Sequence, residues 1–215
     1  MKLISINLGK EETLVRPNRS EQTGIFKRPA AGPVQITKDG LPGDFIGDKK
    51  HHGGPDQAVY VYGMGDYAWW AGELGYELSP GTFGENLTIS ELESPAIRIG
   101  DVFKLGVVTL QVTAPRIPCG TLAGRMKIPE FVKQFRFAGR PGLYCRVLSE
   151  GILEAGEQVK VEQFSGETVS IWDAMKDYYE PGLTESSIQR FLNAPIAIRL
   201  RKEKEDQLEK LRAAR

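Results

Sequence analysis

Cysteine and histidine are both scarce in this 215-residue chain, at two residues each. Cys119 and Cys145 are too few for a disulfide framework, an all-cysteine structural zinc site or an iron–sulfur set. No apolar run approaches the ~20 residues that span a bilayer. Met1 to Lys10 lacks the basic stretch and apolar core of a signal peptide. Neither sign of charge dominates, since Lys+Arg 28 balances Asp+Glu 28. No global field therefore draws the chain toward a nucleic acid polymer or a membrane, and any anion site must be a local cluster. GxGxxG, Walker A, HExxH and GxSxG patterns are missing as well, which removes the nucleotide-fold, metalloprotease and serine-hydrolase readings they carry. The expectation is a soluble, cytoplasmic protein.

What is present is ordinary globular material, 40% hydrophobic and 26% charged, long enough to bury roughly 70% of its unfolded surface. Glycine and proline punctuate the first 165 residues and imply tight turns between short elements. Ile4, Ile6 and Leu8 alternate with Ser5 and Asn7, and Val108, Leu110 and Val112 alternate with Thr109, Gln111 and Thr113, as half-buried strands do. Ala58 to Tyr62, Leu143 to Leu148 and Val159 to Val161 are shorter β-rich runs. Two helices interrupt them. One is capped by Asp66 and carries Trp69, Trp70 and Leu74 up to Gly75; the other opens at Pro129 and carries Phe131, Val132 and Phe135 up to Gly139. Their aromatic stripes read as core.

Near Ser165 the pattern turns helical. Ile171, Met175 and Tyr178 share one stripe, Thr184 caps a second helix with Ile188, Phe191 and Leu192, and a third runs from Pro195 toward the C-terminus. Its tail is a charged face with Leu200, Leu208 and Leu211 as anchors. The expected domains are a β-rich body over 1–165 and a small three-helix domain over 166–215.

The chemistry concentrates in a few loops. In Ala114-Pro115-Arg116-Ile117-Pro118-Cys119-Gly120-Thr121, two prolines stiffen a turn that presents Cys119, and Arg116 is placed to stabilise its thiolate. The same cysteine also reads as a small buried hydrophobe, as free cysteine usually is. Cys145, inside an alternating strand, reads as structural. Both histidines, His51 and His52, stand in a loop that Gly53, Gly54 and Pro55 turn sharply, so only one faces a given ligand. Zinc held by His51, Asp56 and Cys119 matches no ligand spacing. Glu85 and Asn86 lie between glycines, and Lys27-Arg28 is a short basic pair.

Gly24-Ile25-Phe26-Lys27, Gly40-Leu41-Pro42-Gly43-Asp44, His51 to Ala58, Phe83 to Thr88, Ile99-Gly100-Asp101 and Pro115 to Cys119 occur in fixed order. Together they resemble the MOSC domain family, and more narrowly its bacterial YiiM-like, hydroxylaminopurine-resistance branch, over almost the whole chain. The resemblance implies an α+β, mainly β fold: a MOSC-type β-barrel with a few helices and a small C-terminal three-helix domain. It implies binding of the molybdenum cofactor, a molybdenum–molybdopterin, with Cys119 ligating the metal. Lys27, His51, Glu85, Asn86 and Arg116 are the side chains expected around the cofactor, with His51 or His52 delivering protons near neutral pH. The implied reaction removes oxygen from a small N-hydroxylated substrate and returns an amine. Because flavin, haem and iron–sulfur motifs are missing, the electrons come from an external reductase or thiol protein, and the helical appendage serves as its docking site, as packing or as a homodimer surface. Two other readings stay open: a carrier that delivers the cofactor or a Cys119 persulfide, and a binding module without turnover.

Overall fold

The computed structural model describes residues 1–16 and 19–214. In chain order its elements are β1 (Leu3–Leu8), β2 (Glu12–Arg16), β3 (Arg19–Thr23), β4 (Arg28–Pro29), β5 (Val34–Ile36), β6 (Val59–Gly63), α1 (Met64–Leu74), β7 (Leu87–Ile89), β8 (Val102–Leu105) and β9 (Val108–Pro115). They continue with α2 (Gly120–Met126), α3 (Phe131–Ala138), β10 (Leu143–Ser149), β11 (Gly151–Leu153), β12 (Val159–Glu162), α4 (Ile171–Tyr179), α5 (Glu185–Asn193) and α6 (Ile198–Ala213).

Eight strands form one sheet in the order β12-β8-β9-β10-β6-β7-β1-β4, and two hairpin-like pairs, β11-β5 and β2-β3, flank it. Every pairing is antiparallel except β6 with β7. The sheet curls until the start of β1 meets the approach to β12. Leu3 N–H donates to Glu157 O and Val159 N–H to Met1 O, both at 2.9 Å, and Lys2 bridges Gln158. That single bridge is not a ladder, so the expected barrel is a nearly closed sheet rather than a sealed one.

Val108, Leu110 and Val112 are all 0% exposed, as their alternation predicts. In β1 the phase is different: Ile4 is 43% exposed while Ser5 and Asn7 are buried. From Ser5 to Asn7 both faces are covered, since Ile6 is buried as well, and the pairing with β7 shifts register between Leu3 and Ser5. The buried polar groups satisfy one another, with Ser5 Oγ donating to Asn7 Oδ1 at 2.6 Å and Asn7 Nδ2 to Thr88 Oγ1 at 3.1 Å.

The helix starts are corrected in the same physical terms. Gly63, not Asp66, caps α1. Asp66 sits fully buried in the first turn, accepting from Ser94 N–H at 3.0 Å and pairing with Arg140 at 2.8 Å. Pro129 precedes α3 and its N-cap Glu130, while Gly75 and Gly139 end α1 and α3 in the left-handed conformation as expected. Trp70, Phe83, Phe131 and Phe135 pack as one aromatic core, Trp70 stacking on Phe135 with ring centroids 5.9 Å apart.

Among the C-terminal helices, Ser170 caps α4 and Thr184 caps α5 through a capping box with Ser187. Tyr178 leaves the buried stripe of Ile171 and Met175 and is 53% exposed. The last helix begins at Ile198 rather than Pro195, and its charged face hides Lys204, which is 0% exposed. Lys204 lies one turn from Leu200 and Leu208 on the anchoring stripe, pairs with Asp177 and sits 4.6 Å over the Phe191 ring. Val169, Ile171, Ala174, Phe191 and Ile196 belong to the same hydrophobic core as Val112 and Phe103. Among the described residues, no helix is long and apolar enough to cross a membrane.

Candidate functional site

Strand β9 ends at Pro115, and the stiff turn after it carries Arg116 to Cys119 before α2 begins, with Cys119 as the extended N-cap residue. This turn forms one wall of a cavity of about 970 Å³. The glycine-rich loop with His51 and His52, the segments around Lys27 and Asp44, Asn86, Tyr144 of β10 and the β2–β3 hairpin line the rest. Glu21 ties the hairpin to the cysteine turn, accepting from Arg16 at 2.9 Å and from Thr121 Oγ1 at 2.8 Å.

The structure brings Cys119 and His52 together. Burial alone would push the half-buried Cys119 thiol up. The hydrogen bond with the His52 side chain, the Arg116 charge and a backbone N–H from Leu122 outweigh it and bring Cys119 down to about 6. His52 is held in turn by Tyr144, whose hydroxyl lies 3.0 Å from Nδ1. Burial holds the Tyr144 hydroxyl above its ordinary range, so it stays protonated beside the ring. Arg116 is 3% exposed, donates to the Phe83 carbonyl and lies 5.0 Å over the Tyr60 ring. Its Nε has no partner, and neither do the buried Gln57 Oε1 and Arg16 Nε of the same cavity.

The other expected residues divide. Lys27 pairs with Asp44, and Asn86 Nδ2 donates to the same carboxylate at 2.9 Å, so these three form one buried polar cluster on the wall. Burial lowers the Lys27 ammonium despite Asp44. His51 points outward, with Nδ1 2.7 Å from exposed Asp48, and lines only the rim. Glu85 is a correction: it is fully buried behind the wall and accepts from Tyr67 Oη and Gly81 N–H at 2.6 Å and Thr88 Oγ1 at 2.8 Å. Oε1 takes all three bonds and braces the loop, whereas the buried Oε2 has no hydrogen-bond partner among the described residues. Asp56 is also engaged elsewhere, by Arg146 at 2.9 Å and Ile198 N–H at 2.7 Å. Among the described residues, no group of three His, Cys, Asp or Glu is placed to hold a metal ion.

The sequence assigned no site role to Tyr144 or to Asp44, although Asp44 closes one of the ordered motifs. The alternation of β10 was a usable signal for the first: Cys145 is fully buried in the core, so its neighbour Tyr144 faces the opposite side and reaches the cavity. Asp44 stood in the Gly40-Leu41-Pro42-Gly43-Asp44 motif, but its pairing with Lys27 was not legible there, because the two meet only through the fold.

The chain is thus a curled β-sheet with a helical appendage and a polar cavity that carries Cys119 on its wall. The MOSC domain model matches residues 48–160, and the chain belongs to the MOSC family. It is 37% identical over 191 residues to the uncharacterized protein YflK of Bacillus subtilis (strain 168), covering 89% of this chain and 86% of that one. The crystal structure of YiiM from Geobacillus stearothermophilus matches with a TM-score of 0.79 at 27% identity, covering 96% of this chain and 98% of that one. A protein of Gibberella moniliformis named Reductase is 34% identical over 143 residues, which are 65% of this chain but 25% of that much longer protein.

Proposed function

We propose that this protein binds the molybdenum cofactor through Cys119 and reduces small N-hydroxylated compounds to amines with electrons from an external donor. The observation that carries the reading is the Cys119 thiolate, brought down to about 6 by His52 and Arg116 at the wall of a large polar cavity. A soft thiolate suits molybdenum. The free Arg116 Nε and Gln57 Oε1 offer a buried donor and a buried acceptor to a pterin rich in both. Cys119 would hold the metal, and Arg116, Gln57, Asn86 and Lys27 would hold the organic part. MOSC membership and a relative named Reductase support the class of chemistry.

When bound, the cofactor supplies the oxygen-transfer and two-electron chemistry. The protein's own part is electrostatic and protonic. Arg116 keeps the sulfur anionic as pH falls toward 6. His52 meets the Tyr144 hydroxyl through Nδ1 and acts on the Cys119 thiol, so its imidazole would relay a proton inward to the reacting groups. Tyr144 fixes the ring orientation. His51, exposed on the rim, exchanges protons with solvent.

The test is metal analysis with pterin fluorescence on protein purified anaerobically from a cofactor-producing host, beside Cys119→Ser. Near-stoichiometric molybdenum and pterin, with molybdenum lost in the variant, is the expected result. Neither one appearing, even after reconstitution with free cofactor, would sink the reading. A second reading, a persulfide carrier, draws on the same activated thiolate and the free state of Cys119. An added sulfur on Cys119 in mass spectrometry, without turnover of N-hydroxylated compounds, would favour it.

A further inference from the structure

Two helix residues on the cavity lining take no part in the proposed cofactor binding. Tyr178, at the end of α4, and Arg199, in the first turn of α6, line the same cavity as Cys119. Tyr178 packs edge-on against Tyr179, with centroids 5.1 Å apart and planes at 88°, and stays 53% exposed, so ring surface is open to a ligand. Arg199 is exposed and makes no hydrogen bond or ion pair among the described residues. A cation in the first turn of a 16-residue helix works against the helix dipole. Its placement there is nevertheless fixed: Asp56, just beyond the His52 loop, accepts from Ile198 N–H at 2.7 Å and is itself held by Arg146 at 2.9 Å. Deeper in the same cavity, Arg116 is 3% exposed and keeps an unpartnered Nε. In a chain of zero net charge, these guanidiniums are a local anion field. The cavity's volume of about 970 Å³ lies at the upper end of the range for small-molecule sites.

We infer that the cavity binds a nucleoside 5′-monophosphate, its base against Tyr178 and its phosphate on Arg199. The substrate is then an N-hydroxylated nucleotide rather than the free base. The N-hydroxyl group in this assignment rests on the proposed function, whereas nucleotide binding itself does not.

The test is calorimetric titration of the full chain, without added metal, using AMP and adenosine at low ionic strength. AMP is expected to bind about tenfold or more tighter than adenosine, as one charge-assisted contact supplies, and added salt should narrow the gap. Arg199→Ala should bring AMP to the adenosine level while leaving adenosine unchanged, and Arg199→Lys should keep part of the gap. Tyr178→Ala should weaken both ligands by about tenfold, the loss of one stacked base. Equal affinities in the wild type, no binding of either ligand, or an AMP preference that survives Arg199→Ala would each overturn the inference. The last result would move the phosphate to the deeper arginines. Molybdenum binding without nucleotide discrimination removes this inference alone; nucleotide discrimination without molybdenum removes the cofactor reading alone.

Discussion

Burial pushes both thiols up, and at Cys145, enclosed by the sheet, nothing opposes it. At Cys119 the His52 hydrogen bond and the Arg116 charge reverse the outcome. Alkylation by iodoacetamide, followed peptide by peptide in a mass spectrometer, should therefore rise through pH 6 at Cys119 and level off above it. Cys145 should stay unmodified until the chain unfolds. His52→Ala should move the Cys119 midpoint upward, and a wild-type midpoint near that of a free thiol would refute the pairing. The stability linkage has the same sign. An acid whose folded value lies below its unfolded one stabilises the fold above the unfolded value, and that contribution fades as pH falls through the folded one. The stability gap between wild type and His52→Ala should accordingly shrink on acidification toward pH 6 and below.

The cavity walls are positioned by close approaches and staples between elements. A Cβ at Gly24 would lie 1.9 Å from the Phe45 carbonyl oxygen, a contact with backbone that no rotamer relieves. Gly24→Ala should cost about 3 kcal/mol or more in chemical denaturation and disturb the Lys27–Asp44 wall on either side. Asp56→Ala frees the start of α6 and unpairs Arg146. A loss of about 1–2 kcal/mol is expected, with faster hydrogen exchange confined to the first turn of α6 as the distinguishing sign. Lys204 and Asp177 join α6 to α4 with the ammonium fully buried. Lys204→Met alone should destabilise by about 3 kcal/mol because it leaves the partly buried Asp177 carboxylate only the Gly182 N–H. Adding Asp177→Leu should recover most of that loss; a double variant as unstable as the single one would show that the lysine stem, not its charge, matters.

At the scale of the whole molecule, the C-terminal helices and the curled sheet share one hydrophobic core, in which Ile171 and Phe191 pack with residues such as Val112 and Phe103. Thermal unfolding should therefore be a single cooperative transition followed equally by helix and sheet signals. A chain ending at residue 165 would expose that apolar face and should be aggregation-prone. Two separated transitions, or a soluble, cooperatively folding 1–165 fragment, would instead support two autonomous units.

What the amino-acid sequence determined by itself is local. The alternation of Val108, Leu110 and Val112, the prolines that present Cys119, the caps at Gly75, Gly139 and Thr184, and the ordered MOSC motifs all act through neighbours in the chain, so each is legible there. The tertiary structure decided which groups meet. Cover on both faces of β1 buried Ser5 and Asn7 beside Ile6. The stripe of α6 drew Lys204 under Phe191, where a charged run had promised only solvent. Two adjacent histidines were indistinguishable in sequence, yet the fold gave His52 to Cys119 and Tyr144 and left His51 on the rim with Asp48. Glu85 and Asn86 parted in the same way, one into the core and one onto the cavity wall. The lowered Cys119 thiol depends on such meetings, because the loop that carries His52 and the turn that carries Cys119 share one cavity only in the folded chain.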